Sequence, residues 1–152
     1  MSCRCKDRST ENCVCDILRE ILAAQQDIVD DRTDCEVGCE QSIRDLLGDT
    51  TSPTNLDTVP VLLYCDCKPF KGFGAGNDPN TTVVASFFFR VKSIDDDCCA
   101  VLELLRERND QKNFEDPTQQ KTANLRATGI CINVDLKCFC HVTCLPAIRA
   151  LN

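Results

Sequence analysis

The sequence predicts a mostly-β chain, an antiparallel β-sandwich preceded by one N-terminal amphipathic helix. Three observations point there. Apolar residues recur at three- and four-residue intervals only near the N-terminus, and after Asp57 the period drops to two. The strands marked by that period are separated by Gly, Pro, Asn and Asp, without the long helical crossovers that a parallel sheet requires. At 152 residues the chain suits a single domain and can bury roughly two-thirds of its unfolded surface.

Taken in order, the segment from Glu11 to Arg32 carries Val14, Ile17, Leu18, Ile21, Leu22, Ile28 and Val29 as one stripe, with Asp16, Glu20, Gln26, Asp27 and Asp30 opposite. The stripe is expected to dock on the rest of the domain, with a partner helix as the alternative. Ahead of it, residues 1–15 read as a flexible cysteine-containing arm, because they have no apolar anchor, and residues 16–152 read as the domain. Thr33 to Asp57 is a connector with one helical turn at Ser42 to Leu47. Strands are expected at Val59 to Tyr64, Val83 to Val91, Cys98 to Leu105, Ile130 to Leu136 and Cys138 to Leu145. Arg106 to Thr122 is polar and should be an exposed loop or hairpin tip. In the strand Ile130 to Leu136 the even positions are all aliphatic, which turns Cys131 outward.

Cysteine is the unusual feature. There are 14, a density that normally marks small secreted domains needing cross-links to stay folded. This chain is large enough to fold without them. Four Cys-x-Cys pairs occur, Cys3/Cys5, Cys13/Cys15, Cys65/Cys67 and Cys138/Cys140, alongside Cys35, Cys39, Cys98, Cys99, Cys131 and Cys144. In a strand, residues i and i+2 sit about 6–7 Å apart, too far to bridge each other, so such pairs offer their thiols to other groups. Cys138, Cys140 and Cys144 share one parity and would line one face of an extended strand. Cys98 and Cys99 would point to opposite faces, one of them as a small buried hydrophobe.

Two readings of the surplus compete: soft-metal binding by thiolates, and disulfide cross-linking after synthesis. The metal reading lacks any CxxC knuckle and has one His, His141, to complete a mixed site. Cross-linking uses outward-facing thiols directly. All fourteen, Cys3, Cys5, Cys13, Cys15, Cys35, Cys39, Cys65, Cys67, Cys98, Cys99, Cys131, Cys138, Cys140 and Cys144, are therefore candidates.

Other classes find little support. With 17 basic and 24 acidic side chains the formal charge is −7, which disfavours nucleic acid and anionic membranes. No stretch is apolar enough to span a bilayer, and MSCRCKDRSTENC has no signal-peptide core, so synthesis in the cytosol is expected. An enzyme built on His141 as the base of a Cys/His pair is a poor reading, because nothing in the sequence pairs it with a nucleophile. No cofactor is expected: GFGAG (Gly72 to Gly76) lacks the dinucleotide spacing and reads as a turn. Asp95-Asp96-Asp97 is contiguous and suits a tight turn better than a calcium loop.

The blocks FFFRVKSIDDDCCAVLELL (Phe87 to Leu105) and CINVDLKCFCHVTCL (Cys131 to Leu145) resemble the two signature blocks of the CotY/CotZ/ExsY family of Bacillus spore coat and exosporium proteins. Weaker agreement extends to ENCVCDILREIL, to the Cys35 to Cys39 segment and to DTVPVLLY with Phe70 and Phe73-Gly74. The resemblance implies a structural, non-enzymatic protein of the endospore surface. It would be made reduced in the mother-cell cytoplasm and oxidised as that cell dies. It would self-assemble, through cyclic homo-oligomers, into a disulfide-cross-linked two-dimensional lattice in the outer coat crust or the exosporium basal layer, beside other coat or exosporium proteins. Two departures from the family pattern bear on the cross-linking scheme: His141-Val142-Thr143 before Cys144, and a Cys65/Cys67 pair where a cysteine-free turn is more familiar.

Overall fold

The computed structural model describes residues 13–28, 35–48, 55–76, 83–110 and 113–151. The chain divides into two compact units. One contains α1 (Cys13–Ile28), the helix expected from the apolar stripe. Val14, Ile17, Leu18, Ile21 and Leu22 of that stripe are exposed. The remainder of the expected helix, Val29 to Arg32, and most of the expected arm lie outside the described residues.

The other unit, from Val37 onward, is mostly β. It opens with a second helix, α2 (Cys39–Leu47), where the sequence had promised only a turn. Arg44 pairs with Glu40 and Gln41 with Asp45, each one turn apart. Gly48, at φ 78°, ends the helix by donating its N–H back to the last turn.

All the strand pairings that follow are antiparallel. β1 (Val61–Cys65) turns through Asp66-Cys67 into the short β2 (Lys68–Pro69). β5 (Phe88–Ile94), β6 (Cys99–Arg106) and β7 (Arg126–Asp135) form the body of a six-stranded sheet, and β8 (Phe139–Cys144) pairs with β1. A separate hairpin joins β3 (Gly72–Ala75) to β4 (Val83–Ser86). β1 leaves β5 after one pair, Val61 with Phe89, and continues beside β8. β7 reaches β8 through only the 3-10 turn Leu136–Cys138, so the sheet must curl back on itself.

The inside of this curl holds Val61, Leu63, Phe89, Ala100, Leu102, Leu104 and Cys144, with Ile130, Ile132, Val134 and Leu136 packed against them. The aliphatic face expected of Ile130 to Leu136 is therefore real. The hairpin completes the enclosure, and here the sequence reading is corrected: GFGA (Gly72–Ala75) is a strand, β3, and not a turn. A Cβ built on Gly74 would lie 2.3 Å from Cγ2 of Ile130, and one on Gly72 would lie 2.6 Å from Cε1 of Phe89. The two glycines share one face of β3, and the absent side chains let its backbone lie directly on the sheet.

The long expected strand Val83 to Val91 is broken at Phe87 into β4 and β5, which belong to different sheets. Gln120 satisfies the break: its Oε1 accepts from the N–H of Phe87 at 2.9 Å and its Nε2 donates to Ser86 Oγ at 2.9 Å. Ser86 Oγ in turn donates to the Leu105 carbonyl at 2.6 Å and accepts from the N–H of Phe88 at 3.0 Å. The connection after β6 is exposed over most of its described residues, as expected, but it also sends three side chains inward. Phe114, Asp110 and Gln120 are buried. Phe114 packs in a second core with Leu62, Phe87, Phe88, Leu105, Leu125 and Ala150. The amine of Lys71 donates to the Phe114 carbonyl and lies 5.7 Å from the rings of Phe87 and Phe114.

Asp57 ties down the C-terminal segment. One carboxylate oxygen accepts from the N–H of Ala150 at 2.8 Å, and Thr58 Oγ1 donates to the same oxygen at 2.8 Å.

Replacing Gly74 with Ala should destabilise the domain by about 1–3 kcal/mol, because the new methyl overlaps Ile130 and the hairpin must lift from the sheet. Urea unfolding of the reduced protein measures it. An unchanged midpoint would show that β3 does not lie on Ile130.

Candidate functional site

Of the fourteen candidate cysteines, Cys3 and Cys5 lie outside the described residues, and Cys13 is placed only as the first backbone position of α1. Cys15 is half-buried on the same helix. The structure joins two others. Cys39, first in α2, is disulfide-bonded to Cys144, last in β8, across a sequence separation of 105 with Cα atoms 4.8 Å apart. Ser42, one turn further along α2, donates from its hydroxyl to the Leu145 carbonyl at 2.7 Å. These two links dock α2 at the end of β8, beside the apolar core. Cys67 is also disulfide-bonded.

The expected ladder of Cys138, Cys140 and Cys144 along one strand face is not what forms. Cys144 is buried, Cys138 sits in the 3-10 turn, and Cys140 is the extra residue of a bulge, since Tyr64 pairs with His141 while the next residue, Cys65, pairs with Phe139. The bulge turns Cys140 so that its sulfur lies 3.6 Å from the Tyr64 carbonyl oxygen. Cys138 and Cys65, by contrast, meet with their sulfurs 2.6 Å apart. The shared proton holds Cys65 in its thiol form and pushes its pKa up to about 11, with smaller contributions from partial burial and from the neighbouring Asp66 and Cys140.

The turn Leu136–Cys138 is the hub of this region. The N–H of Leu136 donates to the Cys98 carbonyl at 2.9 Å, and Asp135 accepts from the N–H of Lys137 at 3.0 Å. Cys98 and Cys99 thus stand close by, and both are exposed, which corrects the expectation that one would be a buried hydrophobe. The reason is the expected aspartate turn. Asp95 Oδ1 accepts from the N–H groups of Asp97 and Cys99, each at 2.9 Å, and Cys98 is forced to φ 63° at the turn's end. The Asp95 carboxylate, with lesser help from burial, Asp135 and Cys98, raises the Cys99 thiol above its ordinary value. Cys131 is exposed on β7, as its parity required, and Cys35 is exposed ahead of α2.

His141 is a surface residue. Its ring stacks on Tyr64 with centroids 4.3 Å apart, and Nε2 lies 3.2 Å from Thr143 Oγ1. Among the described residues no three His, Cys, Asp or Glu side chains come together as a metal site. The meeting of Cys65 with Cys138 is not visible in the sequence motifs. It depends on a curl and a bulge that local spacing does not encode.

A curled β domain with one disulfide beside its core and thiols displayed around its outside is, in class, a cysteine-rich β protein. The particular family follows from comparison. The family described as Spore coat protein Z matches residues 1–147, and the chain belongs to it. Spore coat protein Z of Bacillus subtilis (strain 168) is 31% identical over 144 residues, spanning 91% of each chain. No solved structure matches.

Cys39→Ser should lower stability under oxidising conditions by about 2–4 kcal/mol, since the bond it removes closes a long loop beside the core. Denaturant titration with and without reductant checks this, the difference between variant and native vanishing when both are reduced. Asp95→Asn keeps an oxygen acceptor for the turn but removes the charge, so the Cys99 pKa should fall toward its usual value. At pH 8 the thiolate fraction then rises, and alkylation of Cys99 followed by peptide mass spectrometry should be severalfold faster. An unchanged rate would mean that Asp95 does not govern the thiol.

Proposed function

We propose that the chain is a structural protein of the bacterial endospore surface, part of the outer coat crust or the exosporium basal layer, that self-assembles into a disulfide-cross-linked two-dimensional lattice. One observation carries this reading beyond the family: Cys98, Cys99, Cys131 and Cys140 are all exposed on a domain whose cores are filled by other side chains. Thiols so placed contribute little to folding and are open to a neighbouring molecule.

Strand edges give the non-covalent contacts that must come first. Among the described residues β7 pairs only with β6 and β8 only with β1. The start of β7 is covered, since Ala127 donates its N–H to the Ala150 carbonyl. From Ile130 to Asp135 it is an edge of the kind that pairs with another chain unless managed. Many weak contacts per subunit then multiply into an avid sheet, and disulfides lock what has assembled. Cys3 and Cys5, ahead of α1, would serve as an arm that bridges to adjacent subunits. Synthesis in the mother cell keeps the thiols reduced until assembly is complete.

Purified under reducing conditions, the protein should form regular sheets or closed rings visible by electron microscopy, without added cofactor. After oxidation these should survive boiling in detergent and dissolve when a thiol reductant is added, faster at higher pH as the reductant ionises. Deleting Met1 to Asn12 should leave the fold intact and weaken the assembly's heat resistance. A monodisperse monomer at high concentration, both reduced and oxidised, would overturn the assembly, and an oxidised sheet that dissolves in detergent alone would overturn the cross-linking.

A further inference from the structure

We propose that Cys65 and Cys138 form a further intrachain disulfide site, one that closes on exposure to a small-molecule disulfide and thereby ties the end of β1 to the turn between β7 and β8. This inference does not depend on the lattice, because both sulfurs belong to one chain.

The sulfurs are 73 residues apart in sequence and 2.6 Å apart in space. A disulfide bond measures about 2.0 Å, so closure requires a shift of little more than half an ångström. The backbone on both sides is already fixed. Cys65 ends β1 in register with Phe139, the residue next to Cys138. Cys138 is held in its 3-10 turn by three bonds. Leu136 donates to the Cys98 carbonyl, Lys137 donates to the Asp135 carboxylate, and the N–H of Phe139 donates to the Leu136 carbonyl. Phe139 itself packs edge-on against Phe70, with ring centroids 5.1 Å apart, which anchors the chain immediately after the turn.

The neighbouring thiols are worse partners. Cys140 is directed by the bulge toward the Tyr64 carbonyl, and Cys67 is already bonded. Access favours the reaction as well, since Cys138 is exposed and Cys65 half-buried.

The order of steps follows from access. Cys138 is the more exposed of the two, so the oxidant reaches it first and Cys138 is the nucleophile. Its thiolate attacks one sulfur of the small-molecule disulfide, forming a mixed disulfide and expelling one thiolate. Cys65 then gives its proton to solvent and attacks the Cys138 sulfur, expelling the second thiolate. Two protein thiols are oxidised to one disulfide, and one molecule of oxidant is reduced to two thiols. The pair is thereby withdrawn from intermolecular linkage. Cys35, Cys98, Cys99, Cys131 and Cys140 remain as the exposed thiols of the described residues.

The test uses the full chain and oxidised glutathione. Equal amounts of unlabelled and nitrogen-15-labelled protein are mixed while reduced, oxidised together, alkylated and digested without reduction. Fragmentation mass spectrometry should find Cys65 linked to Cys138 in peptides of one isotope only, and no cross-link of mixed isotope at either residue. Mixed-isotope pairs at Cys65 or Cys138, a stable bond from either to a different cysteine, or alkylation of both after Cys39–Cys144 has closed would each overturn the assignment. If the lattice reading fails while this pair still closes, mixed-isotope links will be missing at every other cysteine.

Discussion

The closeness of the β3 backbone to the main sheet is the constraint on which the rest of this domain depends. Phe89, Leu102, Leu104, Ile130 and Ile132 present an apolar surface that a curled sheet cannot fully cover with its own strands. A second strand bearing side chains on its inner face would stand about 10 Å away, the usual spacing of stacked sheets. With Gly72 and Gly74 inward, β3 settles much closer, and its backbone rather than its side chains seals that part of the core. The remaining geometry follows. β4 must leave the sheet at Phe87 to stay with β3, the break needs Gln120 to satisfy it, and the segment from Glu107 to Leu125 must fold inward to deliver Gln120 and Phe114.

That closure sorts the cysteines. Inside the curl the space is taken by aliphatic and aromatic groups, and the cysteines found packed there are Cys39 and Cys144, already bonded. Of the exposed cysteines in the β unit, Cys98 and Cys138 lie in turns, Cys99 starts β6, Cys140 is at the bulge and Cys131 is on the outward face of β7. The electrostatics around two of those outside the core run in one direction. Cys65 is kept protonated by Cys138, and Cys99 by the carboxylate of Asp95. Since only the thiolate attacks a disulfide, the effect on Cys99 slows its oxidation near neutral pH. In the proposed lattice such retardation gives weak contacts time to select the register before a covalent bond fixes it.

Much of this was legible in the sequence. Period-two patterning located the strands, the parity of Ile130 to Leu136 assigned Cys131 to the outside, and contiguous aspartates marked the turn before Cys98. What was not legible shares a cause: it depends on residues distant in sequence. Gly72 and Gly74 look like turn residues until Ile130 and Phe89 are known to lie against them. Val83 to Val91 has one unbroken period, and only Gln120, 33 residues beyond Phe87, reveals the break. The polar run after Arg106 hides Phe114, whose burial is fixed by Lys71, Phe87 and Arg106 rather than by its neighbours. The family blocks pointed to the function more directly than any local pattern did, while the pairing of the thiols awaited the curl.

In the proposed lattice, covalent links suit the charge better than ion pairs would. Each chain carries a formal −7, so identical copies repel one another at neutral pH. Salt weakens that repulsion beyond about 8 Å at physiological ionic strength, but it weakens attractive surface ion pairs equally. An assembly of like-charged copies held by surface ion pairs would therefore loosen or tighten with every change in its surroundings. Disulfides are indifferent to ionic strength and yield only to a reductant. In the proposed lattice, thiols in turns and on an outward strand face, where they cost the fold little, would carry bonds whose purpose lies between molecules.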